Sequence, residues 1–170
     1  MRILLLNPEY LPIGGGGANA CSHILHEMAE EPGLEIDVVT ASDTGKFYRV
    51  RIGPSIQIHR LPLKKESLYY WKQGEMLAYT WRAYWYSRKL MHRGRYDLCH
   101  AFFGFPSGLV SWAMRRRLPY IVSLRGSDVP GFNERFSWHY IPLIPLFKRI
   151  WRRARHVIAN SEGLRELALR

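Results

Sequence analysis

The chain has 170 residues, 47% of them hydrophobic, and its 25 Lys and Arg stand against 14 Asp and Glu for a net charge of +11. That length suits one domain over residues 1 to 170 with a real core, and the apolar content excludes a disordered chain. The positive excess favours an anionic partner over a merely solvated surface: a nucleotide, a phospholipid surface, a phosphorylated substrate or a nucleic acid.

Cys21 and Cys99 lie far apart in ordered segments. They read as buried thiols of a reducing compartment rather than as a disulfide framework. A strand follows Met1 almost at once, leaving no room for a signal core, and no apolar run is long enough to span a bilayer. The expected location is the cytoplasm.

Residues 2 to 6, RILLL, read as a buried first strand. The loop NPEYLPIGGGG follows. Cys21, Ile24, Leu25 and Met28 then fall at helical spacing, so a helix is expected from Ala18 to about Glu30, stopped by Pro32 and Gly33. EIDVVT, 35 to 40, is a second strand, which makes a βαβ unit with a right-handed crossover. Residues 46 to 63, FYRVRI and IQIHRLP around Gly53-Pro54-Ser55, predict a hairpin or two short edge strands.

A long aromatic and basic helix is expected from Tyr69 to about His92, then a strand at 96 to 102, YDLCHAF. Residues 106 to 117 read as a helix with Pro106 near its start. YIVSLRG, 120 to 126, is another strand, SDVPGF a polar loop, and 143 to 154 a helix. HVIAN, 156 to 160, is a last short strand, and Ser161 is placed to cap a closing helix that runs to Arg170 without a stop signal. The pattern predicts an α/β fold: a Rossmann-like, doubly wound, mostly parallel sheet flanked by helices, with an inserted β-hairpin. The missing stop signal suggests a piece of something longer.

In such a sheet ligands bind beyond the carboxyl ends of the strands. The segments there are the glycine loop with Gly14, Gly15, Gly16 and Gly17, then ASD at 41 to 43, FFGFP at 102 to 106, RGSD at 125 to 128 and NSEG at 160 to 163. Glycines let backbone approach a phosphate or sugar closely, and the helix start behind them adds N–H groups and partial positive charge. The loop lacks the Gly-Lys-Ser/Thr ending of a Walker A motif and the third glycine of a dinucleotide fingerprint, which disfavours a nicotinamide-type oxidoreductase.

In RGSD, Arg125 is able to hold an anion, and Asp128 to accept a hydroxyl hydrogen bond, act as a base or simply cap a turn; Ser127 adds a polar group. His100 is a site candidate or a satisfied core histidine. Asn160 and Ser161 read most simply as a helix cap.

From 79 to 96 stand Tyr79, Trp81, Tyr84, Trp85, Tyr86 and Tyr96, interleaved with Arg82, Arg88, Lys89, Arg93 and Arg95, with no acid between Glu75 and Asp97. Core packing explains about half of these aromatics on an amphipathic helix. The remainder suits an anionic membrane interface, as does a second stretch at 138 to 155, WHYIPLIPLFKRIWRRAR. No motif for DNA or RNA is present.

Four features resemble one family: RILLLNPEYLPIGGGGANA, the run YDLCHAFFGFPSGLVSWAMRRRLPYIVSLRGSDV, ARHVIANSEGL, and their order and spacing. The chain resembles the N-terminal, acceptor-side domain of a GT-B, family 4 glycosyltransferase. The resemblance implies two Rossmann-like domains facing across a cleft. It also implies sugar transfer with retention from a nucleotide-sugar co-substrate, with no metal and no other cofactor. The acceptor would be a glycan or a lipid-linked sugar, such as an envelope polysaccharide precursor; the basic aromatic helices add the expectation of an enzyme peripheral at the inner face of the membrane.

On this resemblance Gly15, Gly16 and Gly17 approach the donor diphosphate and the acceptor, and Asp128 matches the family's acid. His100 matches the first histidine of a His-Ala-His variant whose second position is Phe102. Arg125 stands where members often carry histidine. The expected site is therefore His100, Arg125 and Asp128 for catalysis, with Gly14 to Gly17, Ser127, Asn160 and Ser161 for substrate. The C-terminal donor-binding domain is missing from the 170 residues, which predicts no transfer by them alone. The competing expectation is a stand-alone module for anionic lipid or nucleotide, without catalysis.

Overall fold

The computed structural model describes residues 1–129, 131–132 and 143–169. Residue 130 of the expected polar loop, residues 138–142 of the second aromatic stretch and Arg170 of the closing helix lie outside them.

The chain runs β1 (Arg2–Leu6), α1 (Gly16–Met28), β2 (Glu35–Ala41), β3 (Tyr48–Ile52), β4 (Ile56–Leu61), α2 (Gln73–Arg93), β5 (Leu98–Phe102), α3 (Ser107–Met114), β6 (Tyr120–Leu124), α4 (Ile144–Arg153), β7 (Val157–Ala159) and α5 (Glu162–Leu169). The strands form one sheet in the order β3-β4-β2-β1-β5-β6-β7. All pairs are parallel except β3 with β4. Without β3, the strands in chain order lie 3-2-1-4-5-6, the doubly wound order of a Rossmann-like fold. The expected α/β sheet is present.

Alternation along each strand sends side chains to two cores. Ile3, Leu5, Ile36, Val38 and Ile58 meet Cys21 and Leu25 of α1 on one face. Leu4, Leu6, Val39, Ala101 and Val122 meet Tyr79, Ala83, Val110 and Ile150 on the other, under α2, α3 and α4. Cys21 and Cys99 are buried free thiols, as expected. Burial raises them to about 11 and about 12, so both stay protonated.

The expected hairpin is present as β3 and β4, and the alternative of two edge strands holds for β3 alone. β3 is an edge strand, largely exposed, and its Arg49 and Arg51 discourage pairing with another chain. β4 is no edge. It pairs in parallel with β2 from Ile36↔Ile56 to Ala41↔Leu61 and is buried almost throughout. The hairpin thus replaces the helix of a βαβ crossover. His59 and Arg60 make β4 look exposed, but both are buried and partnered. His59 Nε2 lies 2.7 Å from Asp37 Oδ1 and its Nδ1 2.9 Å from the Tyr86 hydroxyl. Arg60 donates to Asp43 and to the Leu11 carbonyl.

Candidate functional site

β1 and β5 are neighbours whose chains leave in opposite directions, to β2 and to β6. That divergence opens a crevice at their carboxyl ends. The loops after β1, β5 and β6 meet there.

The four glycines of the first loop do different work. Gly14 has φ of +96°, and its N–H donates to the Leu68 carbonyl at 2.8 Å. A Cβ there would lie 2.5 Å from Glu9 Oε2. A Cβ on Gly17 would lie 2.6 Å from Phe103 Cζ, so this glycine is bare to admit a ring. Gly15 and Gly16 are different: a Cβ on either meets nothing within 4 Å. Gly15 is the N-cap of α1, with no side-chain cap and no acid in the first turn. Open space and the partial positive charge of a helix start therefore coincide at Gly15 and Gly16, with the Gly15 amide shared with Glu9.

Sequence reasoning passes over Glu9, which stands beside this loop. Burial raises its pKa, opposed by a hydrogen bond from the Gly15 backbone and by the charge of Lys65. The signal was available, because Glu9 is the one acid in residues 1–26.

Asp128 is 3% exposed and ties two loops together. Its Oδ1 accepts from the N–H groups of Arg125 and Gly126 at 2.9 and 3.0 Å, and its Oδ2 from Gly104 at 2.6 Å. Burial raises its pKa and those amides pull it back. The carboxylate is thus spent on backbone, and Gly126, at φ of +113°, completes the turn.

Arg125 lies over the Phe102 ring at 4.3 Å. Its Nε is buried without a hydrogen-bond partner, and it forms no ion pair among the described residues. Burial lowers its pKa. His100 Nε2 lies 2.8 Å from the Ser123 hydroxyl, and the ring packs on Phe102 at 4.9 Å. Burial, then the charge of Arg125, pushes His100 down to about 4, so it is neutral at pH 7. Ser127 is exposed beside Arg125.

The structure therefore brings Gly14 to Gly17, His100, Arg125, Ser127 and Asp128 to one end of the sheet. Asn160 and Ser161 follow β7, two strands from β5. Asn160 is exposed, and the Ser161 hydroxyl accepts from the Leu164 N–H at 3.2 Å, capping α5. Among the described residues no group of three or more His, Cys, Asp or Glu is placed to hold a metal ion, and no helix is long and apolar enough to cross a membrane.

The glycosyl transferase 4-like domain profile matches residues 15–170. The chain belongs to that family. The match begins inside the glycine run and takes in the loops after β5, β6 and β7. No curated protein matches. Among solved structures, a sucrose-phosphate synthase from Thermosynechococcus elongatus is similar at 17% identity, over 100% of this chain and 81% of that one, with a TM-score of 0.67. A second structure of that synthase is similar at 17% identity, over 98% of this chain and 44% of that one, with a TM-score of 0.71. UDP-GlcNAc 2-epimerase from Methanocaldococcus jannaschii shares 9% identity over 99% of this chain and 42% of that one, with a TM-score of 0.55. At these identities the likeness speaks for the fold. The chain spans less than half the length of the latter two. The resemblance to the N-terminal domain of a family 4, GT-B glycosyltransferase is borne out.

Proposed function

We propose that this glycosyl transferase 4-like domain is the acceptor-side half of a retaining glycosyltransferase. It moves a sugar from a nucleotide-sugar to a glycan or a lipid-linked acceptor. The observation that carries the reading is the open space over Gly15 and Gly16 at the start of α1, where Glu9 engages the Gly15 amide and the backbone beyond it is left bare. Amide N–H groups at such a helix start suit a diphosphate.

Arg125 offers a second contact to negative charge. Neutral His100, its ring steadied by Ser123, offers a ring nitrogen to a sugar hydroxyl. Asp128 is a positioning residue, holding the Gly104 and Gly126 loops at the crevice wall. The nucleotide-sugar is a co-substrate and no further cofactor is invoked. A second domain supplies most contacts to the donor, so these 170 residues bind ligand without transferring sugar.

Calorimetry with UDP and GDP, on this chain and on its Gly16→Leu variant, tests the site. The added side chain fills the open space while the fold is kept, so diphosphate affinity falls about tenfold or more with an unchanged melting temperature. Affinity equal to that of the parent would remove Gly16 from the site. Sugar transfer by the 170 residues alone, from any nucleotide-sugar, would sink the half-enzyme reading.

A further inference from the structure

The exposed side of α2 carries a line of large apolar residues. The helix buries Glu75, Tyr79, Ala83, Ser87 and Leu90. On a different face stand Leu77, Trp81 and Trp85, at i, i+4 and i+8, exposed by 62%, 66% and 48%. The indole rings of Trp81 and Trp85 meet edge to face at 5.6 Å. Beside them runs an open groove of about 550 Å³ whose lining includes Phe47, Pro62, Trp81, Arg82, Trp85 and Lys89. Scattered surface apolar residues need no explanation, but a contiguous aromatic line along a groove marks an interaction surface.

Charge identifies the partner. Residues 44–65, which hold β3 and β4, contain no acid, and neither do residues 76–96 on α2. Arg49, Arg51, Arg82, Arg88 and Lys89 form no ion pair among the described residues. Arg88 lies over the Trp85 ring at 5.3 Å and Arg49 over the Phe47 ring at 5.5 Å. Tryptophan flanked by long basic side chains suits the headgroup depth of a bilayer: the rings enter the boundary and the cations meet lipid phosphate.

Position adds a third point. α2 connects the carboxyl end of β4 to the start of β5, and Leu68, shortly before it, accepts from the Gly14 N–H at 2.8 Å, which sets the approach to its first turn beside the glycine loop. Tyr69 and Tyr70, exposed by 69% and 80%, precede it there. The aromatic line leads from the mouth of the crevice along the helix.

We propose that the outer face of α2, with the adjoining β3 edge, docks on an anionic phospholipid bilayer. The docking stands independently of the sugar-transfer reading. It would also set the crevice mouth close to the bilayer surface.

Vesicle co-sedimentation tests it, with phosphatidylcholine alone and with phosphatidylcholine mixed with phosphatidylglycerol. The protein sediments with the mixed vesicles and stays in solution with the neutral ones. Added salt releases it, as does Arg82→Glu/Lys89→Glu, each weakening binding by about tenfold. Trp81→Ala/Trp85→Ala weakens binding as much at constant salt, and bromine-labelled lipid quenches tryptophan emission in the parent but much less in that variant. All four side chains are exposed, so circular dichroism and melting should match the parent. Absent binding, equal binding to both lipid mixtures, or unaltered binding by both double variants would overturn the proposal. So would a lipid-free dimer abolished by Trp81→Ala/Trp85→Ala in a protein that ignores vesicles, since the face would then join two copies of the chain.

Discussion

The phenyl ring of Phe103 lies against Gly17, its Cζ 2.6 Å from where a Cβ on that glycine would stand. Phe103 has φ of +73°, a left-handed conformation that bulky residues seldom adopt. The loop after β5 and the start of α1 therefore fit together while residue 17 has no side chain. Gly17→Ala should destabilise by about 1–3 kcal/mol, because the ring or its loop must move. Gly16→Ala, with open space around it, should stay within about 1 kcal/mol of the parent, helped by the better helix propensity of alanine. Urea unfolding of the two variants separates them. Coincident midpoints would mean that the ring yields freely.

Asp128 predicts a second contrast. Asp128→Ala leaves the buried N–H groups of Gly104, Arg125 and Gly126 without an acceptor, at a cost of about 3 kcal/mol or more. Asp128→Asn keeps one carbonyl oxygen, so it should fold yet loosen one of the two loops. Hydrogen exchange at the Gly104 and Gly126 amides reads this directly. Unchanged protection at both in the Asn variant would show that the carboxylate is not what holds them.

The parallel core was legible because its strands are short apolar runs bounded by turn residues, as in RILLL and EIDVVT. The hairpin of β3 and β4 was legible, but not that β4 lies inside the sheet, because a buried strand carrying His59 and Arg60 looks solvated. The partners that allow their burial, Asp37, Asp43 and Tyr86, lie on other elements. The glycine run was legible as a place where backbone matters, but not in its division of labour. Phe103 is remote in sequence from Gly17, and no local pattern announces a ring there. α1 starts at Gly16, two residues before the expected Ala18, because glycine is a poor helix former that packing overrides. Glu9 was in plain view, but its place beside Gly14 depends on how the loop folds back.

Asp37 predicts the acid limb of stability. Burial pushes its pKa up, but His59, Tyr96 and Arg2 prevail through their hydrogen bonds and hold it at about 2. A depressed carboxyl contributes stability that is whole above its unfolded value near 4 and lost as pH falls toward 2. Asp37→Asn should therefore cost about 2–3 kcal/mol at pH 7. Its deficit against the parent should stay level from pH 7 down to about 5 and shrink between about 4 and 2. Urea titrations across that range test the shape, and a deficit that grows toward low pH would reject it.

His100 acts in a different window. Its folded pKa of about 4 lies below the ordinary histidine value, so the unfolded chain takes up the proton first. Stability should fall as pH drops from about 6.5 toward 4. His100→Gln should flatten that slope. An NMR titration of the parent should show the ring with a midpoint near 4, and a midpoint near 6.5 would contradict its burial.

Arg125 separates stability from binding. Its guanidinium is partly desolvated, its Nε lacks an acceptor among the described residues, and Phe102 is a weak substitute for a carboxylate. A partly buried charge with no ion-pair partner among the described residues opposes folding, and such groups are kept where a ligand completes them. Arg125→Met retains the stack on Phe102 and removes the charge. It should raise stability by about 1 kcal/mol while lowering affinity for a nucleoside diphosphate by about tenfold. Arg125→Lys keeps the charge but loses the planar fork, so its affinity should fall between the two. Melting temperature and calorimetric affinity, measured on the same three proteins, should move in opposite directions. A Met variant that is less stable and binds equally well would show that Arg125 holds the β6 loop rather than an anion.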